Sequence, residues 1–125
     1  MATRNERLST EPNIWLALVR ADGRPHLTPI WFVWVDDHLW MCTQRAAVKA
    51  RILRARPLVS FALEDGNAPI TGEGLGDLVS LASTPEQVRA AFMTKFDWDI
   101  GDDDNVVIKV TVTRWLSPSS EVIVE

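Results

Sequence analysis

The residues best suited to chemistry in this sequence lie in the segment 43–49, which combines the hydroxyl group of Thr43 with the cations of Arg45 and Lys49. Thr43 ends a predicted strand, and the segment runs into a predicted helix over residues 46–55. Unpaired backbone N–H groups and the helix dipole favour an anion at such a point. Arg45 and Lys49 would lie one helical turn apart and could contact a common phosphate. The sequence alone leaves a second interpretation open, in which these cations form a solvated helix face.

A second candidate is the predicted strand over residues 25–35, which starts with His26 and Thr28 on one face and is apolar on both faces from Ile30 onward. A strand that is apolar on both faces is covered on both. The simplest covers are a barrel interior on one side and a second subunit or a flat ligand on the other. Pro29 lacks an N–H, so strand pairing breaks there and a neighbouring carbonyl is left free for a ligand. His26 by itself is typical of a satisfied strand-end histidine, and no general base stands out.

Composition limits the classes of function. The 125 residues, 46% of them hydrophobic, predict one globular domain over residues 1–125. The formal net charge of −4 gives no reason to expect nucleic acid. No apolar run is long enough to span a bilayer and no apolar signal core begins the chain, so we expect a cytoplasmic protein with no membrane partner. Six tryptophans and no tyrosine supply flat, rigid surface for a core, a dimer interface or an aromatic ligand.

Thiol and metal chemistry find little support in the sequence. The single cysteine, Cys42, excludes an internal disulfide and a multi-thiolate metal site, and we expect it to be a buried, inert thiol. The acidic loop 97–105 fails the calcium-loop template, because Ile108 stands where the bidentate glutamate should be. We therefore predict no metal site.

The elements that must position these residues are short strands in antiparallel order. Strands are predicted over residues 14–20, 25–35, 58–63, 70–81 and 106–113, with a further strand after the turn at Asp36 and Asp37. Three glycines mark a sharp bend in the strand over 70–81, as barrel closure requires: Gly72, Gly74 and Gly76. A second helix, ending near Phe96, is predicted to begin with Thr84 as N-cap and Gln87 completing a capping box. In the last strand, Val107 and its alternate neighbours are predicted to point outward. Four residues are predicted to point inward: Val106, Ile108, Val110 and Val112. This pattern predicts a mainly β fold with short helices, a six-stranded antiparallel barrel.

The order of several short segments carries a family resemblance. These segments are Asp-Gly-Arg-Pro-His-Leu-Thr-Pro-Ile-Trp-Phe, then a turn, then Leu-Trp-Met-Cys-Thr, then Lys-Ala-Arg-Ile-Leu-Arg-Ala-Arg-Pro-Leu-Val-Ser. Together they resemble the FMN-binding split-barrel superfamily, specifically the pyridoxamine 5′-phosphate oxidase-like proteins, over residues 14–116. The resemblance implies a homodimeric split β-barrel that binds FMN at the dimer interface. It also implies a flavin-dependent oxidoreductase that passes a hydride to or from a small organic substrate, and a flavin would itself supply that chemistry.

The resemblance also implies which residues hold the cofactor. In such proteins the residues matching Thr43 and Lys49 contact the cofactor phosphate, and the strand matching residues 26–31 runs along the isoalloxazine ring. The candidate cofactor-binding residues are His26, Thr28, Pro29, Ile30, Trp31, Thr43, Gln44, Arg45, Val48 and Lys49. The segment 95–99 resembles one that lies close to the partner subunit's flavin, which makes Trp98 a candidate wall of the substrate pocket.

Departures from the family pattern leave alternatives open. Ala47 stands where many relatives have a serine and Ile52 where many have an asparagine, so a non-catalytic flavin- or haem-binding module is one alternative. The chain ends at Glu125 without the C-terminal arginine and histidine segment that true pyridoxamine phosphate oxidases use for substrate, so we do not expect that specific activity. A reductase dependent on the deazaflavin coenzyme F-420 is another alternative. The polyglutamate tail of that coenzyme needs more positive charge than one phosphate does, and the sequence offers several cations in one short segment: Arg45, Lys49, Arg51, Arg54 and Arg56. The net charge of −4 argues mildly against a polyanion groove and therefore favours FMN.

Overall fold

Seven strands and three α-helices make up the fold in a computed structural model that describes residues 2–117. The helices are α1 (Arg4–Thr10), α2 (Val48–Ala55) and α3 (Glu86–Phe96), and a short 3₁₀ turn covers Leu81–Ser83. The strands are β1 (Asn13–Val19), β2 (Pro25–Trp31), β3 (Val33–Val35), β4 (His38–Gln44), β5 (Leu58–Leu63), β6 (Thr71–Val79) and β7 (Asn105–Ser117).

The strands form one antiparallel sheet in the order β2-β1-β5-β6-β7-β4-β3. Although β2 and β3 lie at opposite edges of this sheet, only Phe32 separates them in sequence. The sheet must therefore curl until its two edges meet, and the buried Phe32 side chain lies at the junction. This confirms the predicted mainly β, antiparallel split barrel with short helices.

The predicted number of six strands is wrong, because the strand predicted over residues 25–35 is two strands. Trp31 is paired with Asn13 of β1, whereas Val33 is paired with Trp40 of β4. Phe32 donates its N–H to the carbonyl of Pro12 instead of joining either ladder. The sequence could not show this break, since the residues on both sides of it are large and apolar.

The predicted bend in β6 is confirmed, and close packing explains its glycines. The pairing of β6 with β7 shifts register at Thr71/Gly72 and again at Glu73/Gly74. A Cβ atom on Gly72 would lie 2.6 Å from Cζ of Phe61, and one on Gly74 would lie 2.5 Å from the carbonyl oxygen of Thr111. The missing side chains therefore let β6 approach both the core and β7.

Two buried clusters form the core on opposite faces of the sheet. The barrel interior is filled from β1, β4, β5 and β7 and is closed by Leu8 of α1 and Leu53 of α2. The second cluster lies under α3, where Val33, Trp40 and Val107 pack with Phe92. Val107 is therefore buried and not outward-facing as predicted, because α3 covers this part of the sheet. The same helix covers the second apolar face of β3.

Several predicted boundaries also shift, each for a local reason. Helix α2 begins at Val48 with Ala47 as its N-cap, later than the predicted start at residue 46. The capping box predicted around Thr84 is wrong, because its hydroxyl donates to the carbonyl of Ser80 at 2.8 Å and Pro85 is the N-cap of α3. The turn at Asp36 and Asp37 is confirmed, with φ angles of 55° and 57°.

We expect Gly74→Ala to destabilise the fold by about 3 kcal/mol, because the new Cβ has no room against the β7 backbone. Chemical denaturation of the purified variant measures this loss. Gly66→Ala is the matched control, since a Cβ atom there meets nothing within 4 Å. Equal stability of the two variants would contradict the role given to the β6 glycines.

Candidate functional site

Strand β2 is an edge strand whose ladder partner is β1. Its residues alternate in exposure, with His26, Thr28 and Ile30 half-buried on the inner face and Leu27 exposed on the other. The pairing with β1 runs through Pro29, which lies opposite Trp15, so the predicted break in pairing at Pro29 is wrong. The other edge of β2 has no strand partner and presents unpaired backbone N–H and C=O groups. The strand can therefore offer backbone acceptors to a ligand lying along it.

Two nitrogen-bearing side chains meet at the start of β2, and the charge of a third acts on one of them from α2. The β1–β2 register places Leu18 opposite His26, and Arg20, two residues further on, puts its Nη2 atom 3.2 Å from His26 Nδ1. Lys49, in the first turn of α2, is close enough for its charge to act on the imidazole. Burial lowers the pKa of His26, and the charges of Arg20 and Lys49 lower it further. We refer to Arg20, His26 and Lys49 as the anion cluster.

The positive charge of the anion cluster is poorly compensated. The Nε atom of Arg20 is buried and has no hydrogen-bond partner among the described residues. No ion pair within residues 2–117 includes Arg20 or Lys49. Burial also lowers the pKa of Lys49. Arg20 and Lys49 are half-buried cations without an ion-pair partner in this range, so the region suits a bound anion such as a phosphate group.

The start of α2 adds backbone donors to this region. Ala47, its N-cap, has no side-chain oxygen with which to accept a hydrogen bond, so the first N–H groups of the helix have no side-chain cap. Thr43 is half-buried at the end of β4, and Val48 is exposed as the first helical residue. The missing hydroxyl at Ala47 thus leaves donors available to an anion.

Arg45 lies elsewhere, because it precedes the helix. Its N–H donates to the carbonyl of Asp104 at 2.8 Å, and its own carbonyl accepts from Nη2 of Arg54 at 3.0 Å. Its side chain, like that of Arg54, lines a separate groove of about 320 Å³ beside Ser80. Gln44 is exposed at the end of β4. The charge of Lys49 therefore acts on His26, whereas Arg45 lines another groove.

Sequence reasoning missed Arg20, the residue that completes the anion cluster. A cation at the end of an amphipathic strand resembles any solvated charge, and Arg20 is far from Lys49 in sequence. The hairpin signal at Asp22 and Gly23, combined with strand register, could have placed Arg20 beside His26.

An aromatic cluster flanks the other end of β2. The rings of Trp31 and Phe96 are stacked, with centroids 4.4 Å apart and planes 7° apart. Trp98 packs edge-on against Trp31 at 6.0 Å and against Phe92 at 5.6 Å. Trp31 remains 46% exposed, so the cluster presents a flat aromatic wall beside β2. The substrate-pocket role of Trp98 stays a prediction.

Lys95 ties the barrel closure to two helices. Its Nζ atom donates to the carbonyl of Phe32 at 2.8 Å and to that of Leu8 at 3.4 Å, and it lies 4.0 Å from the centroid of the Phe32 ring. Burial lowers the pKa of Lys95 to about 8, opposed in part by Glu11. The residue therefore fixes α1 and α3 around the junction of β2 and β3.

The remaining candidates for chemistry have structural explanations. Cys42 is buried, and burial together with the charge of Asp102 raises its pKa to about 11, which confirms the prediction of an inert thiol. Residues 2–117 contain no group of three potential metal ligands among their histidine, cysteine, aspartate and glutamate side chains. No helix in this range is long and apolar enough to cross a membrane.

A seven-stranded antiparallel sheet that curls until its two edges meet at one residue is a split barrel. The family model described as pyridoxamine 5′-phosphate oxidase matches residues 2–117. The chain therefore belongs to the pyridoxamine 5′-phosphate oxidase family, whose fold the sequence resemblance correctly indicated. No curated protein matches the chain.

Solved structures support the fold. An F420 reductase is 24% identical, with 94% of this chain and 100% of that chain covered and a TM-score of 0.71. The haem storage protein from Vibrio cholerae is 24% identical, with 80% of each chain covered and a TM-score of 0.70. A pyridoxamine 5′-phosphate oxidase-related, FMN-binding protein from Nostoc punctiforme is 14% identical, with 83% and 72% covered and a TM-score of 0.62.

We expect the stability of the protein to rise with pH relative to Lys95→Met. Lys95 gives up its proton near pH 8 in the folded state and near 10.5 in the unfolded state. Between these values the unfolded state binds more protons, so the free energy of unfolding increases with pH. Denaturant titrations of both proteins at pH 7 to 10 measure the difference. Parallel pH dependences would contradict the burial assigned to this amine.

Proposed function

We propose that this protein is a flavin-dependent oxidoreductase that binds FMN and transfers a hydride to or from a small organic substrate. The observation that carries the proposal is the anion cluster of Arg20, His26 and Lys49 beside the edge strand β2, whose cations form no ion pair within residues 2–117. Membership of the pyridoxamine 5′-phosphate oxidase family supports it, as does the FMN-binding protein among the structural relatives. Its cytoplasmic location stays a prediction.

Each part of the site has a distinct task in this proposal. Arg20 and Lys49 hold the phosphate, with Thr43 and the first N–H groups of α2 as further donors. Strand β2 holds the ring system, its free backbone groups meeting the polar edge of the ring between Thr28 and Trp31. The coenzyme supplies the hydride chemistry when bound, so the protein need only bind, orient and exclude water. The aromatic wall of Trp31, Phe96 and Trp98 is suited to excluding water.

The proposed oligomer is a homodimer formed through the outer face of the β2-β1-β5-β6 sheet. Strand register places large, exposed apolar side chains together there: Trp15, Val19, Leu27, Trp31, Leu58 and Leu75. Leu27 is 63% and Leu58 is 69% exposed. A contiguous apolar patch of this kind is typical of a subunit interface, and a second copy would bring its own surface alongside β2.

The deazaflavin coenzyme F-420 is the second candidate ligand. The groove beside α2 lined by Arg45 and Arg54 offers two further cations to a polyanionic tail, although Asp103 also lines it and Asp104 lies 3.9 Å from Arg45. An F420 reductase is among the structural relatives. A haem- or flavin-binding module without turnover stays an alternative, and the haem storage protein shares the fold.

We expect Lys49→Ala to weaken FMN binding by on the order of 10-fold to 100-fold, the usual effect of losing a charge-assisted hydrogen bond. Quenching of flavin fluorescence on titration with apoprotein measures the affinity. Arg51→Ala is the matched control, because this exposed α2 residue lies outside the anion cluster. Normal binding by Lys49→Ala would remove the phosphate assignment. Tight, salt-sensitive binding of the deazaflavin without FMN binding would instead select the second coenzyme.

We expect Leu27→Glu to convert the protein from a dimer to a monomer, because it places a charge within the apolar outer face, where Leu27 is 63% exposed. Sedimentation velocity at micromolar concentration measures the change. Met93→Glu, an exposed apolar position on α3 that is 46% accessible, should remain dimeric. A monomeric wild-type protein would contradict the proposed interface.

A further inference from the structure

The hydrogen bond between Arg20 and His26 fixes the protonation state of the imidazole. The guanidinium group has only donors, so His26 Nδ1, 3.2 Å from Arg20 Nη2, must be the acceptor. This hydrogen bond is one that the neutral imidazole makes, with its proton on Nε2.

The surroundings of His26 hold it in this state. Arg20 acts on it from β1 and Lys49 from α2, and both charges are positive. The nearest carboxylate to Arg20 in the hairpin is that of Asp22, which pairs with Arg24 at 2.9 Å; Arg20 contributes to lowering the pKa of Asp22. The buried Nε of Arg20 has no partner. A bound anion would thus be the missing negative charge of this cluster.

We propose that His26 takes up one proton when the phosphate group of the coenzyme binds between Arg20 and Lys49, so that phosphate binding and His26 protonation are coupled. This inference rests on the proposed function, and it adds that pH regulates binding of the coenzyme. The phosphate attracts the guanidinium of Arg20 and frees Nδ1 as a proton acceptor. The proton comes from solvent, no other bond changes, and the imidazolium then presents two N–H donors.

The sign of the pH dependence follows from linkage. A bound dianion raises the pKa of His26 above its value in the free protein, which burial and the two cations hold below 6.5. Anion affinity therefore increases as the pH falls through the pKa of the complex, by up to about tenfold per pH unit, and levels off below the pKa of the free protein.

Isothermal titration calorimetry in buffers of different ionisation enthalpy tests the coupling. FMN and inorganic sulfate are titrated into wild-type protein and His26→Gln from pH 5.5 to pH 8. Sulfate does not titrate in this range, whereas the second pKa of a phosphate monoester is about 6, so sulfate isolates the contribution of the protein. Riboflavin, which lacks the phosphate, is the matched ligand control. We expect wild-type protein to take up close to one proton per FMN or sulfate at the pH of maximum uptake, and His26→Gln to remove that uptake.

Direct observation of the imidazole keeps the test independent of the folding of the variant. The chain has two histidines, and His38→Gln assigns their proton NMR signals. Saturating sulfate should raise the titration midpoint of the His26 signal in wild-type protein.

The outcomes separate the two proposals. FMN binding without His26-dependent proton uptake overturns the inference and leaves the proposed function standing. Sulfate binding with uptake but no FMN binding supports the coupling and overturns the function. Absence of binding by both ligands overturns both.

Discussion

The constraint on which the rest of the structure depends is the single buried residue between the two edges of the sheet. Phe32 joins β2 to β3, which lie at opposite ends of a seven-stranded order, so the sheet can satisfy chain connectivity only by curling into a barrel. Gly72 and Gly74 make that curvature sterically possible at the middle strand. Lys95 holds the Phe32 carbonyl and fastens two helices around the closure. Closure of the barrel therefore depends on a few side chains as well as on the hydrogen bonds between strands.

The same constraint creates the proposed site. Because β2 is the last strand before the closure, its outer edge has no strand partner in the ladder. Pairing with β1 then brings Arg20 beside His26, and the helix supplies Lys49. The site therefore combines residues from three elements, none of which would bind an anion strongly alone. Arg20 and Lys49 are half-buried and form no ion pair within residues 2–117, so a bound phosphate would be favoured beside them.

Sequence patterns predicted much of this arrangement, and tertiary packing explains what they missed. Periodicity located β5 and the alternation of β7, and the β6 glycines indicated the bend. The break at Phe32 carries no turn signal, since its neighbours are apolar, and the burial of Val107 depends on where α3 docks. Lys49 was predicted from residue type and position, and its cofactor role stays a prediction. Arg20 needed strand register, which fixes neighbours that sequence distance conceals.

A crystal structure of the protein with FMN tests the proposed site most directly. We predict two copies packed through the outer face of the sheet, with the isoalloxazine ring along β2 and the phosphate within hydrogen-bond distance of Arg20 and Lys49. A phosphate bound instead in the groove of Arg45 and Arg54, or a flavin bound away from β2, would contradict the central claim.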